Sequence, residues 1–217
     1  MSKQTSTTGS RIIIITGGSG SGKTLLASHL VDEVFAGDAE VVSHDMYYIP
    51  ADHFEPEFRV DYDAPESLDN ALLRRHLAEL REGRAIEAPL YDFKTHARLP
   101  TTKRVEPKHV IIVEGILTLA VPELRELADF TIFIHVDDDI RLSRRVLRDF
   151  VGGARGELGT EGLPSELSYY FDYVKPNYQR YIAPLSEVAD IVLHNNARTP
   201  QPMITRVESI LSKFQLK

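Results

Sequence analysis

One stretch decides the fold of this 217-residue chain: Gly17-Gly18-Ser19-Gly20-Ser21-Gly22-Lys23-Thr24. It matches the pattern G-x-x-x-x-G-K-[ST] and lies between an isoleucine-rich run and a helical pattern, where this motif requires a strand and a helix. The glycines let backbone N–H groups point inward at phosphate oxygens. The loop therefore predicts a bound nucleotide, with Lys23 bridging the β- and γ-phosphates and the Thr24 hydroxyl as a ligand of Mg²⁺. An accidental match by a Gly/Ser turn is the alternative, and the preceding strand argues against it.

Short β-branched runs alternate with helical patterns along the rest of the chain. Apolar strands interleaved with helices are typical of a mainly parallel sheet that is covered on both faces. We therefore predict an α/β fold of the three-layer P-loop NTPase type. The predicted strands are Arg11–Thr16, Glu40–Ser43, Val110–Val113, Phe130–Val136 and Asp190–Leu193, and the predicted helices are Lys23–Phe35, Ser67–Glu82, Pro122–Leu127, Asp138–Val151, Ser165–Leu185 and Gln201–Phe214.

Two long irregular stretches interrupt this alternation. Asp45–Glu66 is rich in aromatic residues, aspartate and proline, and Gly152–Pro164 is rich in glycine. Such segments are typical of functional loops, so we predict an acceptor-binding insertion at about residues 46–100 and a lid at about residues 152–165. Residues 1–10 are polar and without periodicity, which predicts a disordered leader before a single domain of residues 11–217.

The composition excludes several functional classes. A formal net charge of -7 argues against a general binder of nucleic acid or membrane surfaces. The chain has no cysteine, which excludes a disulfide framework, a thiolate metal site and a cysteine nucleophile. Its apolar runs are too short to span a bilayer, and its first residues lack the order of a signal peptide. We expect a cytoplasmic protein with no nucleic-acid or membrane partner.

The remaining motifs narrow the class of nucleotide-binding protein. A GTPase switch needs an N-K-x-D motif, which the sequence lacks, and the D-x-x-G at Asp149–Gly152 ends an arginine-rich helix. A transporter-type ATPase or motor needs a longer chain with signatures of its own. A small-molecule kinase needs an acceptor pocket, an orienting carboxylate, Mg²⁺ ligands and cations for the transferred group. The chain offers a candidate for each.

Two carboxylates follow predicted strands. Asp45 comes after the second strand, at the carboxyl end where open α/β sheets place their ligands, and is the candidate general base. Glu114 follows the strand Val110–Val113 and is a candidate for contact with a Mg²⁺-bound water or the acceptor. A turn residue and a polar strand end are the respective alternatives. Together with Thr24, both carboxylates are candidate oxygen ligands of Mg²⁺.

The predicted helix Asp138–Val151 has two different faces. At about 100° per residue, its arginines fall on one side and its large apolar residues on the other, which predicts an apolar core face. For Arg141 and Arg144 we leave open solvation or phosphate contact, whereas for Arg145 and Arg148, near the predicted lid, we predict phosphate contact. The arginines are Arg141, Arg144, Arg145 and Arg148, and the apolar residues are Ile140, Leu142, Val146, Leu147 and Phe150.

These features together resemble the uridine kinase (uridine–cytidine kinase) family. The matching stretches are, in order, GGSGSGKT, HDMYY, VDYDAPESLDN, PLYDFKTHAR, VEGIL, RLSRRVLRD and YVKP, and the match extends from Arg11 to Asn196. The resemblance implies a kinase that uses ATP or GTP with Mg²⁺ to phosphorylate the 5′-hydroxyl of uridine or cytidine. It also implies a homo-oligomer, since members of the family commonly form one.

The resemblance implies a role for each matching position. Asp45 matches the catalytic base, and Asp63 and Arg145 match readers of the ribose hydroxyls. Arg148 and Arg155 match arginines near the phosphates and the acceptor. The wall that holds the pyrimidine corresponds to Tyr48, Tyr62, Tyr91, Phe93 and His96, with Ile116 as an apolar neighbour. Core packing is the alternative for each tyrosine and phenylalanine, and a surface position is the alternative for His96.

The chain also departs from the family pattern. Gly153 replaces a lid arginine, residues around Gly156–Pro164 are inserted, Tyr169 stands where members have a base-contacting glutamine, and Ala64 replaces a histidine. These departures leave two other interpretations open. One is a related kinase for a different acceptor, similar to phosphoribulokinase or pantothenate kinase, and the other is a nucleotide-binding regulator without transfer activity.

Overall fold

A computed structural model describes residues 9–54, 61–151 and 162–213. The predicted leader is outside this range except for its last two residues, as is most of the predicted lid with Gly153 and Arg155. The main elements, in chain order, are β1 (Arg11–Thr16), α1 (Lys23–His29), β2 (Ala39–Ser43), α2 (Asn70–Arg81), β3 (Ile86–Asp92), β4 (Ala97–Val105), β5 (Val110–Glu114), α3 (Pro122–Arg125), β6 (Phe130–His135), α4 (Asp138–Val146), α5 (Leu163–Tyr169), α6 (Lys175–Asn177), β7 (Ile191–His194) and α7 (Gln201–Lys213).

The central sheet has five parallel strands in the order β2-β5-β1-β6-β7. Its middle strand, β1, carries four isoleucines that are fully buried. Because side chains alternate along a strand, Ile12 and Ile14 pack into the core on one face, and Ile13 and Ile15 pack into the core on the other. A continuous apolar strand is what a sheet covered on both faces requires. The predicted α/β P-loop fold with a parallel sheet is confirmed.

The helices are close to their predicted positions, with shifted ends. The first predicted helix, Lys23–Phe35, is α1 followed by a π-helical turn, Leu30–Val34. The second begins at Asn70 rather than Ser67, because the Asp69 carboxylate accepts a hydrogen bond from the Leu72 amide and caps α2. No helix among the described residues is long and apolar enough to cross a membrane.

The sequence reading missed the hairpin formed by β3 and β4. These strands pair antiparallel, with a register shift between Pro89 and Tyr91. Most of β4 faces solvent and carries Arg, Lys and Thr side chains, so the apolar pattern that identifies a buried strand is absent. The hairpin ends at Val105, a few residues beyond the predicted bound of about residue 100, and Tyr91, Phe93 and His96 lie in or next to its turn.

The predicted core face of α4 is wrong for most of the helix, although Ile140 is partly buried and packs against the core. Arg141 and Arg145 are the buried residues of this helix, whereas Leu147, just beyond its end, is 59% exposed. The two arginines can be buried because each has a partner. Arg141 forms an ion pair with Asp138 and lies 3.7 Å from the centre of the Tyr178 ring, and Arg145 forms an ion pair with Glu166. The arginine side of the helix therefore faces the phosphate-binding loop and the site.

Candidate active site

The phosphate-binding loop joins β1 to α1 at the carboxyl edge of the sheet. Gly20 and Gly22 have φ angles of +80° and +99°, a region that residues with a Cβ atom rarely adopt. A Cβ at Gly20 would also lie 2.7 Å from the carbonyl oxygen of Arg141. The loop conformation therefore depends on glycine at both positions.

Two side chains hold the loop backbone from behind. The guanidinium of Arg144 donates to the carbonyl oxygens of Gly20 (3.4 Å), Asn195 (3.0 Å) and Ala197 (3.1 Å). The amide of Asn195 donates to the carbonyl oxygen of Ser21 at 2.9 Å. Arg144 is thus a support of the loop, a role that the sequence reading did not consider.

Lys23 is the first residue of α1 and is buried. Its ammonium group donates to the carbonyl oxygen of Gly18 at 3.2 Å, so the side chain folds over the loop. Burial lowers the pKa of Lys23, and the carboxylates of Glu114 and Asp45 oppose that change. The ammonium group is therefore close enough to both candidate carboxylates for their charges to act on it.

The candidate Mg²⁺ ligands lie together at the same edge. The Glu114 carboxylate accepts hydrogen bonds from the hydroxyls of Thr24 (3.3 Å) and Ser43 (2.8 Å). Oδ1 of Asp45 is buried and has no hydrogen-bond partner among the described residues. Burial and the nearby Glu114 raise the pKa of Asp45 to about 6, against the effect of Lys23. Carboxylate and hydroxyl oxygens are ligands that Mg²⁺ prefers, so these residues fit the predicted ion.

A cavity of about 750 Å³ opens beside the loop and the carboxylates. Its walls include Ser19 of the loop, Asp45 and Arg148. Every predicted substrate-binding residue within the described part of the chain also lines it: Tyr48, Tyr62, Asp63, Tyr91, Phe93, His96, Ile116 and Arg145. Arg155, the remaining predicted residue, lies outside the described residues.

The aromatic side chains of this cavity contact one another. The Tyr48 ring lies 5.6 Å from Tyr62, 5.5 Å from Tyr91 and 6.4 Å from Phe93, measured between ring centroids. Tyr62 and His96 are stacked, with centroids 4.8 Å apart and ring planes 22° from parallel. Tyr48 and Tyr91 also belong to the buried core. Core packing and cavity lining, which the sequence reading treated as alternatives, therefore both apply to these two tyrosines.

The sequence reading missed part of the cavity wall. Lys94, Ser165 and Glu166 line the cavity as well. Lys94 lies in the hairpin between the matched Phe93 and His96, so the position of that stretch could have indicated it. Ser165 and Glu166 lie in α5, directly after the inserted residues. The family motifs cannot be aligned with certainty there, so they did not indicate these two positions. Tyr169, noted as a replacement for a glutamine, also lines the cavity.

Fold and site together define the class of the protein: it is a P-loop phosphotransferase, with a donor-phosphate loop next to an acceptor cavity. Sequence comparison specifies the class further. The model of the Phosphoribulokinase / Uridine kinase family matches residues 12–200. A uridine kinase from Streptococcus equi subsp. zooepidemicus is 39% identical over 208 residues, which cover 94% of this chain and 97% of that protein. A uridine kinase from Brevibacillus brevis is 38% identical over 184 residues, covering 84% of this chain and 83% of that protein.

The chain therefore belongs to the phosphoribulokinase/uridine kinase family, and it is a phosphotransferase with an alcohol group as acceptor. The resemblance read from the sequence motifs is confirmed. Solved structures agree on the fold. A D-glycerate 3-kinase from Cryptococcus neoformans superimposes with a TM-score of 0.61 at 15% identity, covering 90% of this chain and 89% of that one. A gluconokinase from Sinorhizobium meliloti superimposes with a TM-score of 0.53 at 15% identity, covering 95% and 93%.

Proposed function

We propose that this enzyme transfers the γ-phosphoryl group of ATP or GTP to the 5′-hydroxyl of uridine or cytidine, forming the nucleoside monophosphate in pyrimidine salvage. The observation that carries the proposal is the aromatic lining of the cavity beside the phosphate-binding loop. The relatives named uridine kinase support it, since one of them is 39% identical over 94% of the chain.

The aromatic wall suits a planar pyrimidine. Aromatic rings provide a large contact area at defined angles, and Tyr62 and Tyr91 also carry hydroxyls. The stacked Tyr62 and His96 rings, 4.8 Å apart, leave no space for a third ring between them. The base would therefore pack on an outer face or an edge of this group. Asp63 and Arg145, in the same cavity, are the proposed partners of the ribose hydroxyls.

The donor end of the site is proposed to be the loop and the residues around it. Backbone N–H groups of the loop and the Lys23 ammonium would bind the donor phosphates. Thr24, Glu114 and Asp45 would hold Mg²⁺ directly or through water, and the ion would neutralise charge on the phosphates. Arg148 donates to the Ser19 hydroxyl at 3.4 Å, and we assign to it contact with the transferred phosphoryl group.

Asp45 is the proposed base. Its buried, unpartnered Oδ1 is available to accept a hydrogen bond from the acceptor hydroxyl. The raised pKa makes this carboxylate a stronger proton acceptor than an exposed aspartate. As the 5′-oxygen bonds to the γ-phosphorus, the bond from that phosphorus to the β,γ-bridging oxygen breaks. The hydroxyl proton passes to Asp45, and ADP or GDP leaves.

An ADP-release assay tests the proposal with uridine, cytidine, adenosine, ribulose 5-phosphate and pantothenate as acceptors. We expect turnover that depends on uridine or cytidine, since the aromatic wall suits a planar pyrimidine. Turnover with pantothenate or ribulose 5-phosphate alone would assign a different acceptor. The absence of acceptor-stimulated turnover would instead indicate a nucleotide-binding regulator.

A further inference from the structure

Four charged side chains form one cluster where α4 and the residues after it meet α5. Glu166 of α5 accepts two hydrogen bonds from Arg145 at a single oxygen, from Nε at 2.9 Å and from Nη2 at 2.7 Å. Asp149 lies 3.8 Å from Arg145 and accepts two further bonds from Arg148, at 2.7 and 3.1 Å. Two guanidinium groups and two carboxylates thus cancel in charge.

Three members of this cluster are largely withdrawn from water, whereas the side chain of Arg148 is 46% exposed. The side chain of Arg145 is 4% exposed, that of Asp149 is fully buried, and that of Glu166 is 13% exposed. Charges in such surroundings are screened far less than charges at the surface. The charge on Glu166 therefore acts strongly on whatever approaches Arg145 within the cavity.

Of the two carboxylates, Glu166 lines the cavity and Asp149 does not. Asp149 is enclosed and shared by two arginines, so it serves the packing of the helix end. Glu166 lies on the cavity wall, as do Arg145 and Arg148. An acceptor in the cavity would consequently meet Arg145 with the Glu166 carboxylate already bound to it.

We propose that Glu166 is a specificity-determining residue that makes this end of the cavity accept uncharged hydroxyl compounds and reject acceptors that carry phosphate or carboxylate near Arg145. An unpaired buried arginine would attract such anions, because guanidinium and phosphate form strong bidentate contacts. The carboxylate of Glu166 occupies those donors and repels a second anion. Neutral ribose hydroxyls, by contrast, can share the donors that remain and can also donate to the carboxylate.

This inference rests on the proposed function for the placement of the ribose beside Arg145. Uridine 3′-monophosphate is the direct probe, because it keeps the base and the free 5′-hydroxyl and adds an anion to the ribose edge. We compare kcat/KM for uridine and for uridine 3′-monophosphate in the wild type, in Glu166→Gln and in Glu166→Asp. Glu123→Gln, an exposed carboxylate on α3, controls for the loss of one negative charge elsewhere.

We expect Glu166→Gln to lower the preference for uridine over the 3′-monophosphate by about tenfold or more, the order expected for one unit charge acting over several ångströms. Lower KM for the phosphorylated probe should account for most of the change. Glu166→Asp and Glu123→Gln should keep the wild-type preference. An unchanged preference in Glu166→Gln, or equal loss of activity on both acceptors, would make Glu166 a structural contact and overturn the inference.

A second measurement separates the inference from the proposed function. If the wild type phosphorylates neither uridine, nor cytidine, nor uridine 3′-monophosphate, the pyrimidine proposal fails, and binding of inorganic phosphate to the ADP-saturated protein is measured instead. Tighter phosphate binding by Glu166→Gln than by the wild type and Glu123→Gln would still support the role of Glu166. Equal binding by all three proteins would remove it.

Discussion

At Asp45 the surroundings determine the chemistry that the side chain can perform. One carboxylate oxygen is buried without a partner among the described residues, and burial together with Glu114 raises the pKa. Leaving a buried acceptor unsatisfied costs about 1–3 kcal/mol. Such a cost in the folded state is typical of a group held ready for a ligand rather than for packing.

Asp45→Asn is expected to lower kcat by about 10² or more, because a positioned base contributes about 10²–10⁴ in rate. The variant should bind ATP within about threefold of the wild type, since it leaves the loop untouched. Steady-state kinetics and nucleotide titration measure both quantities. Asp52→Asn, an exposed carboxylate in the same segment, is the control. Full activity of Asp45→Asn would remove this residue from the mechanism.

Asp63 and His96 are expected to read different parts of the acceptor. Loss of a bound hydroxyl leaves a polar partner unpaired, which can cost up to about 10⁴-fold in kcat/KM, so deoxyuridine should be a poor substrate. Asp63→Ala should narrow the gap between uridine and deoxyuridine by losing activity on uridine. His96→Ala should lower kcat/KM for both nucleosides together, because His96 is proposed to contact the base rather than the ribose. If Asp63→Ala and His96→Ala both lowered kcat/KM for uridine and deoxyuridine by the same factor, this division of roles would be contradicted.

At the scale of elements, Arg98 connects the β3–β4 hairpin to the turn that carries Asp45. Its guanidinium donates to the carbonyl oxygens of Tyr48 and Tyr47, both at 3.0 Å. It also reaches the carboxylate of Asp69, the residue that caps α2. One side chain thus fixes the aromatic wall relative to the proposed base.

Arg98→Met is therefore expected to lower kcat/KM for the acceptor by about 10²-fold, since displacements of about 1 Å in a site can cost that much. ATP affinity should change little because the loop is held by other side chains. Arg98→Lys should recover part of the loss, since an ammonium can reach one of the carbonyl oxygens. Kinetics with varied acceptor and varied ATP separate the effects. Equal losses toward both substrates would indicate general unfolding instead.

The elements that the sequence predicted are those whose local pattern matches their surroundings. The strand β1 and the phosphate-binding loop can be identified from neighbouring residues alone, by the run of isoleucines and by the glycine spacing, and both were predicted. The hairpin was missed because β4 faces solvent and its residues carry no apolar period. The buried face of α4 was predicted wrongly because pairing partners such as Glu166, 21 positions from Arg145, are set by tertiary structure. The same long-range contact explains why Glu166 escaped the sequence reading of the site.

At the scale of the whole molecule, burial of His44 makes stability depend on pH. Its Nε2 is hydrogen-bonded to Asn70, and burial lowers its pKa to about 4. In the unfolded chain the pKa of His44 is about 6.5, so below that pH the unfolded chain binds a proton that the folded protein does not bind. The free energy of unfolding therefore decreases as the pH is lowered from 6.5 to 4. The full effect is about 3 kcal/mol.

Urea unfolding of the nucleotide-free protein between pH 8 and 4.5 measures this effect. His44→Gln should lose stability overall but should be less sensitive to pH than the wild type by about 2–3 kcal/mol across that range. The raised pKa of Asp45 acts with the opposite sign between about pH 4 and 6, so the difference between the two proteins isolates His44. His109→Gln, which replaces an exposed histidine, should show the same pH dependence of stability as the wild type. Parallel profiles for His44→Gln and the wild type would contradict the assignment.

The strand order of the central sheet also governs how the chain can be made. β1 pairs with β5 and β6: Arg11 lies opposite Val110, and Ile13 lies opposite Phe130. β1 therefore has no neighbouring strand until these later residues have been synthesised. β2 likewise pairs with β5. During synthesis the isoleucine-rich β1 therefore leaves the ribosome about 100 residues ahead of its partners, as an unpaired and aggregation-prone segment. The sheet edge that carries the phosphate-binding loop can therefore form only after β5 and β6 have been synthesised, although the loop itself is among the first residues made.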